Sequence, residues 1–195
     1  ATGEDSARET SAEIISASED GMTLVYTDSP LGVIGLIDIT DPAAPAPLGN
    51  IDVGGEPTTA VFIGDKIFAG VNTSESLVAP SGKLVTVDAA TRMVTAECEI
   101  GGQPDAVAKA PDGSFLAIAI ENQRDEVLND GALPQMPAGY VVKLAVTDGV
   151  VDCAGQTRIG LTGLAAVGAE DPEPEYLDVN AAGEIVVTLQ ENNHI

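Results

Sequence analysis

Glu56, Asp105, Glu173 and Glu175 each stand beside a proline or one residue from it, in Glu56-Pro57, Pro104-Asp105 and Glu173-Pro174-Glu175. Two further acids, Glu121 and Glu191, each precede an asparagine in the same Glu-Asn pair. Carboxylates and amides brought together from separate segments suit a hard cation such as Ca2+, which takes six to eight oxygen ligands. Calcium so held can in turn carry a phosphate and stabilise charge during its hydrolysis. The same residue types also cap turns by accepting loop N–H groups, and both readings stay open here. Arg124, one of only eight Lys and Arg residues, is a candidate anion contact, or else a salt bridge to a neighbouring acid.

Other chemistries find little support. His194 is the single histidine, and both cysteines lie far from it in sequence, so a zinc set is not in view. There is no Gly-x-Ser-x-Gly elbow, no Gly-Lys-Ser/Thr phosphate loop and no defensible Ser/His/Asp set. The net charge of −23 opposes binding to a phosphate backbone. A field of that sign leaves three uses: a solvated acidic surface, carboxylate sites for calcium, or steering of a cationic partner.

The elements that must position these acids repeat. Laying Pro104 on Pro174 places Gly113 on Gly183, Glu121 on Glu191 and Asn122 on Asn192 without a gap. A looser copy starts at Glu56-Pro57, turns at Gly64-Asp65 and closes at Val71-Asn72. From Pro57 to Pro104 is 47 positions, with four short strand patterns between turn residues: Thr59 to Ile63, Lys66 to Val71, Gly82 to Asp88 and Met93 to Ile100. The segments Gly32 to Ile39 and Leu48 to Val53 have the form of the last two. Pro104 to Pro174 is 70 positions, because two insertions intervene, at 123–138 and at Thr157 to Glu170. Inserted loops on a regular scaffold are where function concentrates.

Four strands in 40 to 50 residues is the pattern of a β-propeller blade. The expected fold is all-β: a propeller, seven-bladed when complete, with this chain supplying about three and a half blades. Residues 1–11 are expected to form a flexible N-terminus. Residues 12–195 are expected to be a partial propeller that continues past Ile195, its remaining blades in further sequence or a second chain. The first blade reads as a half-blade completed from elsewhere. In such a ring Glu56, Asp105, Glu173 and Glu175 face one channel mouth. Glu121 and Glu191 mark the next ring or the opposite mouth.

Cys98 and Cys153 both fall in fourth-strand positions of adjacent units, at the rim. They read as a disulfide, with distance as the obstacle, or as two buried thiols. The chain starts at Ala1 without Met or a signal-like apolar stretch, as a processed exported protein or a recombinant one would. The best apolar run, Leu31 to Ile39, is too short for a membrane span.

Four segments carry a family likeness: Thr27 to Pro45 (TDSPLGVIGLIDITDPAAP), Gly101 to Gly113 (GGQPDAVAKAPDG), Glu121 to Gly139 (ENQRDEVLNDGALPQMPAG) and Asp171 to Ile195. With them the chain resembles the N-terminal part of secreted bacterial β-propellers of the esterase-like phytase family, related to the choice-of-anchor propellers. The resemblance implies a secreted or periplasmic protein and a phosphoester or ester hydrolase, calcium-dependent if the acids collect the ion. The alternative is a non-catalytic propeller that offers a protein- or ligand-binding surface.

Overall fold

The computed structural model describes residues 7–195. Part of the segment expected to be flexible, 1–6, lies outside them; by Ser11 the chain is tied down, its N–H donating to the Asp28 carboxylate at 3.0 Å.

The strands form four antiparallel sheets in chain order. The first contains β1 (Ala12–Ala17), β2 (Thr23–Asp28), β3 (Val33–Asp38) and β4 (Ala46–Asp52). The second contains β5 (Glu56–Ile63), β6 (Lys66–Asn72), β7 (Gly82–Asp88) and β8 (Met93–Glu99). The third is built from β9 (Pro104–Lys109), β10 (Phe115–Ile120) and β11 (Tyr140–Thr147), with β12 (Val150–Val151) and β13 (Thr157–Gly160) both pairing with β11. The fourth is the pair β14 (Pro174–Val179) and β15 (Ile185–Leu189). These sheets are the blades of a β-propeller, three of them full and one represented by two strands.

Two expectations are corrected. The first blade is not a half-blade: β1 pairs with β2 from Ala12↔Asp28 to Ala17↔Leu24, so four strands of its own complete it. The second insertion is not all loop. Its start, Thr157–Gly160, runs beside β11 in the register Tyr140↔Gly160 to Lys143↔Thr157 and takes the outer place of the third blade. The short β12 only closes a hairpin on the other end of β11. The polar sequence of β13 hid it, since all four of its residues are exposed.

The blades stack face to face, and the alternation of each strand shows how. Side chains of a strand point to opposite faces in turn. In β6, Ile67, Ala69 and Val71 join a core with Val25, Ile34 and Leu36 of the first blade. Phe68 points the other way, into a core with Leu116, Ile118 and Ile120 of β10. The alternate β10 residues Phe115, Ala117 and Ala119 meet Leu177, Val179 and Leu189 of the fourth blade, together with Ala106, Ala108 and Ala110. Strands covered on both faces read as continuous apolar runs, and every residue of β10 is buried. The alanines leave room for close sheet-on-sheet approach.

The recurrent proline has a geometric reason. Gly82 and Gly139 each begin, or immediately precede, the third strand of a blade. A Cβ added at Gly82 would lie 2.5 Å from Pro104 Cδ and 2.3 Å from Gly102 O; one at Gly139 would lie 2.5 Å from both Pro174 Cδ and Pro172 O. Each proline therefore seats the next blade against a bare backbone. Side chains stitch the innermost strands too: Thr58 Oγ1 donates to Pro104 O at 2.9 Å, and Thr59 Oγ1 accepts from Val107 N–H at 3.1 Å.

Cys98 and Cys153 are disulfide-bonded, with Cα atoms 5.6 Å apart. This is ordinary spacing for a bridge, so distance is no obstacle. Chain distance misleads because β12 folds back toward β8 at the rim. Among the described residues, no helix is long and apolar enough to cross a membrane.

Candidate functional site: an acidic channel mouth

β1, β5, β9 and β14 are the innermost strands of their blades, and together they line one cavity of about 360 Å³. Its walls include Glu13, Thr58, Asp105, Glu175, Tyr176 and Gln190. The position after each anchor proline is thus a channel position: Asp105 and Glu175 in the third and fourth blades, Thr58 in the second. Glu13 holds the same second place in β1.

Glu121 and Glu191 lie at this mouth and not at the opposite one. β10 runs antiparallel to β9 with Ile120 opposite Pro104, and Glu121 N–H donates to Gln103 O at 3.0 Å. In the fourth blade Leu189 lies opposite Pro174, so Glu191 follows at the same end. The end of a second strand and the start of a first strand must coincide in a hairpin.

The carboxylates feel one another. Burial pushes the Glu121 carboxyl up to about 8, and the charges of Asp105, Glu175, Glu173 and Glu191 add to the rise. Burial lifts Asp105 to about 6, helped by Glu13. Glu175 is raised by burial, then by Asp105 and Glu191. Glu173 is raised by burial too, though the Arg124 N–H bond and the Arg124 charge pull against it. Arg124 reaches across from the third blade, its guanidinium 3.9 Å from Glu173 and 3.6 Å from Glu191. Its Nε is buried without a hydrogen-bond partner. One cation among so many carboxylates leaves the mouth negative.

Of the acids singled out in the sequence, Asp105, Glu121, Glu173, Glu175 and Glu191 come together. Glu56 stays one blade away, where its carboxylate accepts from Asn72 Nδ2 at 3.2 Å. Glu13 was missed. Its signal was weak, because β1 has no anchor proline to align, but an acid in the second position of an innermost strand would have found it. Among the described residues, no three His, Cys, Asp or Glu side chains are disposed to hold a metal ion.

The repeated asparagines are clamps. Asn122 Oδ1 accepts from Gln103 N–H at 3.0 Å, while its Nδ2 donates to Pro137 O and Ala138 O. Asn192 Oδ1 accepts from Glu173 N–H at 2.9 Å, and its Nδ2 donates to Val167 O, Gly168 O and Asp171 O. Each asparagine fixes an insertion loop over the mouth and sets the adjacent acid in place.

Solved structures share this fold at low identity. A protein of Bacteroides uniformis ATCC 8492, provisionally described as a 6-phosphogluconolactonase, is 15% identical with a TM-score of 0.63, over 99% of this chain and 52% of its own. The Dos1 propeller is 12% identical with a TM-score of 0.62, over 90% and 42%. Kuenenia stuttgartiensis hydrazine synthase is 13% identical with a TM-score of 0.52, over 92% and 62%. The chain thus spans less than two thirds of each. No curated protein matches it. Residues 13–166, most of the chain, match the Choice-of-anchor I domain, and with its blade-by-blade architecture the chain belongs to that family.

Proposed function

We propose that this chain is part of an exported or surface-held β-propeller whose channel mouth binds a cationic group of its ligand. The observation that carries this reading is the crowding of Asp105, Glu121, Glu173, Glu175 and Glu191 around a single Arg124, with Glu121 held protonated up to about pH 8. A carboxyl that keeps its proton because it is buried, and further because its neighbours are negative, gives it up when a cation arrives beside it. The interblade disulfide supports an oxidising compartment, as does the family. The propeller is expected to be completed by further blades.

The test is calorimetric titration with a polyamine, spermidine, and separately with calcium, at pH 6 and pH 8 in two buffers of different ionisation enthalpy. Binding is expected with proton release near neutrality and with weakening in the Glu121→Gln/Glu175→Gln double variant. Neither cation binding, or binding untouched by that variant, rejects the reading.

A second reading is phosphoester or ester hydrolysis at the same mouth, with calcium as the cation. Arg124 beside the acids favours it, since a guanidinium can hold an anion there. The carboxylates as placed do not form a calcium cage, so no catalytic step is derived through the ion. Turnover of a phosphomonoester that chelator abolishes would support this reading. Equal inactivity with calcium and with chelator would reject it.

A further inference from the structure

The two insertion loops form one surface. Gln135 N–H donates to the Asp171 carboxylate at 2.7 Å, and Gln135 Nε2 donates to Asp125 O at 2.8 Å. Leu133 Cδ1 lies 3.2 Å from where a Cβ on Gly168 would stand, so the loops meet along that seam. Asn122 and Asn192 hold the bases of both loops from below.

This surface is apolar where a loop would be expected to be polar. Val127 is 89% exposed, Met136 66% and Leu164 58%, and Leu128, Leu133 and Val167 are exposed with them. Exposed apolar side chains on two loops that are locked to each other offer a surface for interaction. Scattered among them are Asp125, Glu126, Asp130 and Glu170, while positions 125–139 and 161–170 contain no Lys, Arg or His.

We propose that the joined insertion loops are a docking platform for a basic amphipathic segment of a partner protein, whose apolar side chains cover Val127, Met136 and Leu164 and whose Lys or Arg side chains meet the surrounding acids. Charge selects among the occupants that an apolar patch admits. An anionic membrane surface and a nucleic acid are both repelled by these four acids, whereas a cationic peptide is attracted before contact. The platform is distinct from the channel site, since neither its exposed apolar residues nor Asp125, Glu126, Asp130 and Glu170 are among the crowded carboxylates of the mouth or the residues that line the cavity.

The test uses the full chain and two synthetic fluorescent peptides of equal positive charge, one alternating Leu with Lys and one alternating Ser with Lys. Anisotropy titration is expected to show the Leu/Lys peptide binding at least tenfold tighter than the Ser/Lys peptide. The triple variant Val127→Ser/Met136→Ser/Leu164→Ser should remove that advantage, while Glu121→Gln/Glu175→Gln keeps it. Should the triple variant melt lower than the parent, Val127→Ser alone serves, as its exposed side chain supports nothing. Equal affinity for both peptides, or an advantage the loop variants leave intact, overturns the proposal by showing charge attraction only. Loss in the channel variant with none in the loop variants overturns it too, as does flotation with phosphatidylglycerol vesicles in place of peptide binding.

Discussion

Glu121 shows what the fold asks of one side chain. Its carboxyl is pushed from an ordinary 4.5 up to about 8, so the folded chain binds a proton there that the unfolded chain has already lost. Between those values the folded state holds more protons, and stability therefore falls as pH rises from about 4.5 to 8. Asp105 acts in the same direction up to about 6. The Glu121→Gln variant is expected to flatten this slope and to raise stability at pH 8 by on the order of a few kcal/mol. Urea denaturation at pH 5 and pH 8 reads it, and a variant less stable than the parent at pH 8 contradicts it. Asn192 makes the opposite case. Alanine there leaves the Glu173 N–H and the Val167 and Asp171 carbonyls without their partner, which should cost about 2–4 kcal/mol at any pH. Asp105, Glu121, Glu173, Glu175 and Glu191 were legible in the sequence because they flank prolines and asparagines whose repetition is visible, whereas Glu13, with no proline beside it, was not. What could not be read was that the asparagines act by holding loops, since the carbonyls they bind belong to insertions with no counterpart in the other blades.

At the scale of elements, the recurring proline and glycine are two halves of one contact between neighbouring blades. Gly139→Val is expected to push the fourth blade off the third, because its Cβ alone would sit 2.5 Å from Pro172 O and from Pro174 Cδ. The cost should be about 1–3 kcal/mol or more, seen as a lower melting temperature. This contact is why the blade period was readable without coordinates: each anchor is a backbone requirement, so substitution elsewhere does not blur it. β13 escaped for the contrary reason, being exposed on every residue and set in an insertion. β1 was not read as completing the first blade, since its residues are mostly exposed and it lacks the proline. At the rim, Cys98–Cys153 ties the second blade to the third across 55 residues of chain. Reduction, or replacement of both by serine, is expected to lower stability by about 2–4 kcal/mol while leaving the mouth's titration unchanged.

For the whole molecule, each internal blade is covered on both faces and the two outer ones are not. Ile14, Ile15 and Leu48 are exposed on the first blade, and Tyr176 and Val186 on the fourth. Beside Ile14 and Ile15 lies a groove of about 590 Å³ that also takes in Leu31, Ile37, Pro45 and Pro47. Blade stacking elsewhere buries just such residues, so these two faces are where further blades would pack in a closed ring. The 195-residue segment by itself should bind an apolar dye and associate as its concentration rises. A polypeptide carrying additional blades should do both less. Ile15→Lys with Val186→Lys in the segment is expected to suppress both effects without lowering the melting temperature, because neither side chain belongs to an interblade core. Dye binding that persists unchanged in this double variant would place the sticky surface elsewhere, with the apolar side chains of the insertion loops the next to be replaced.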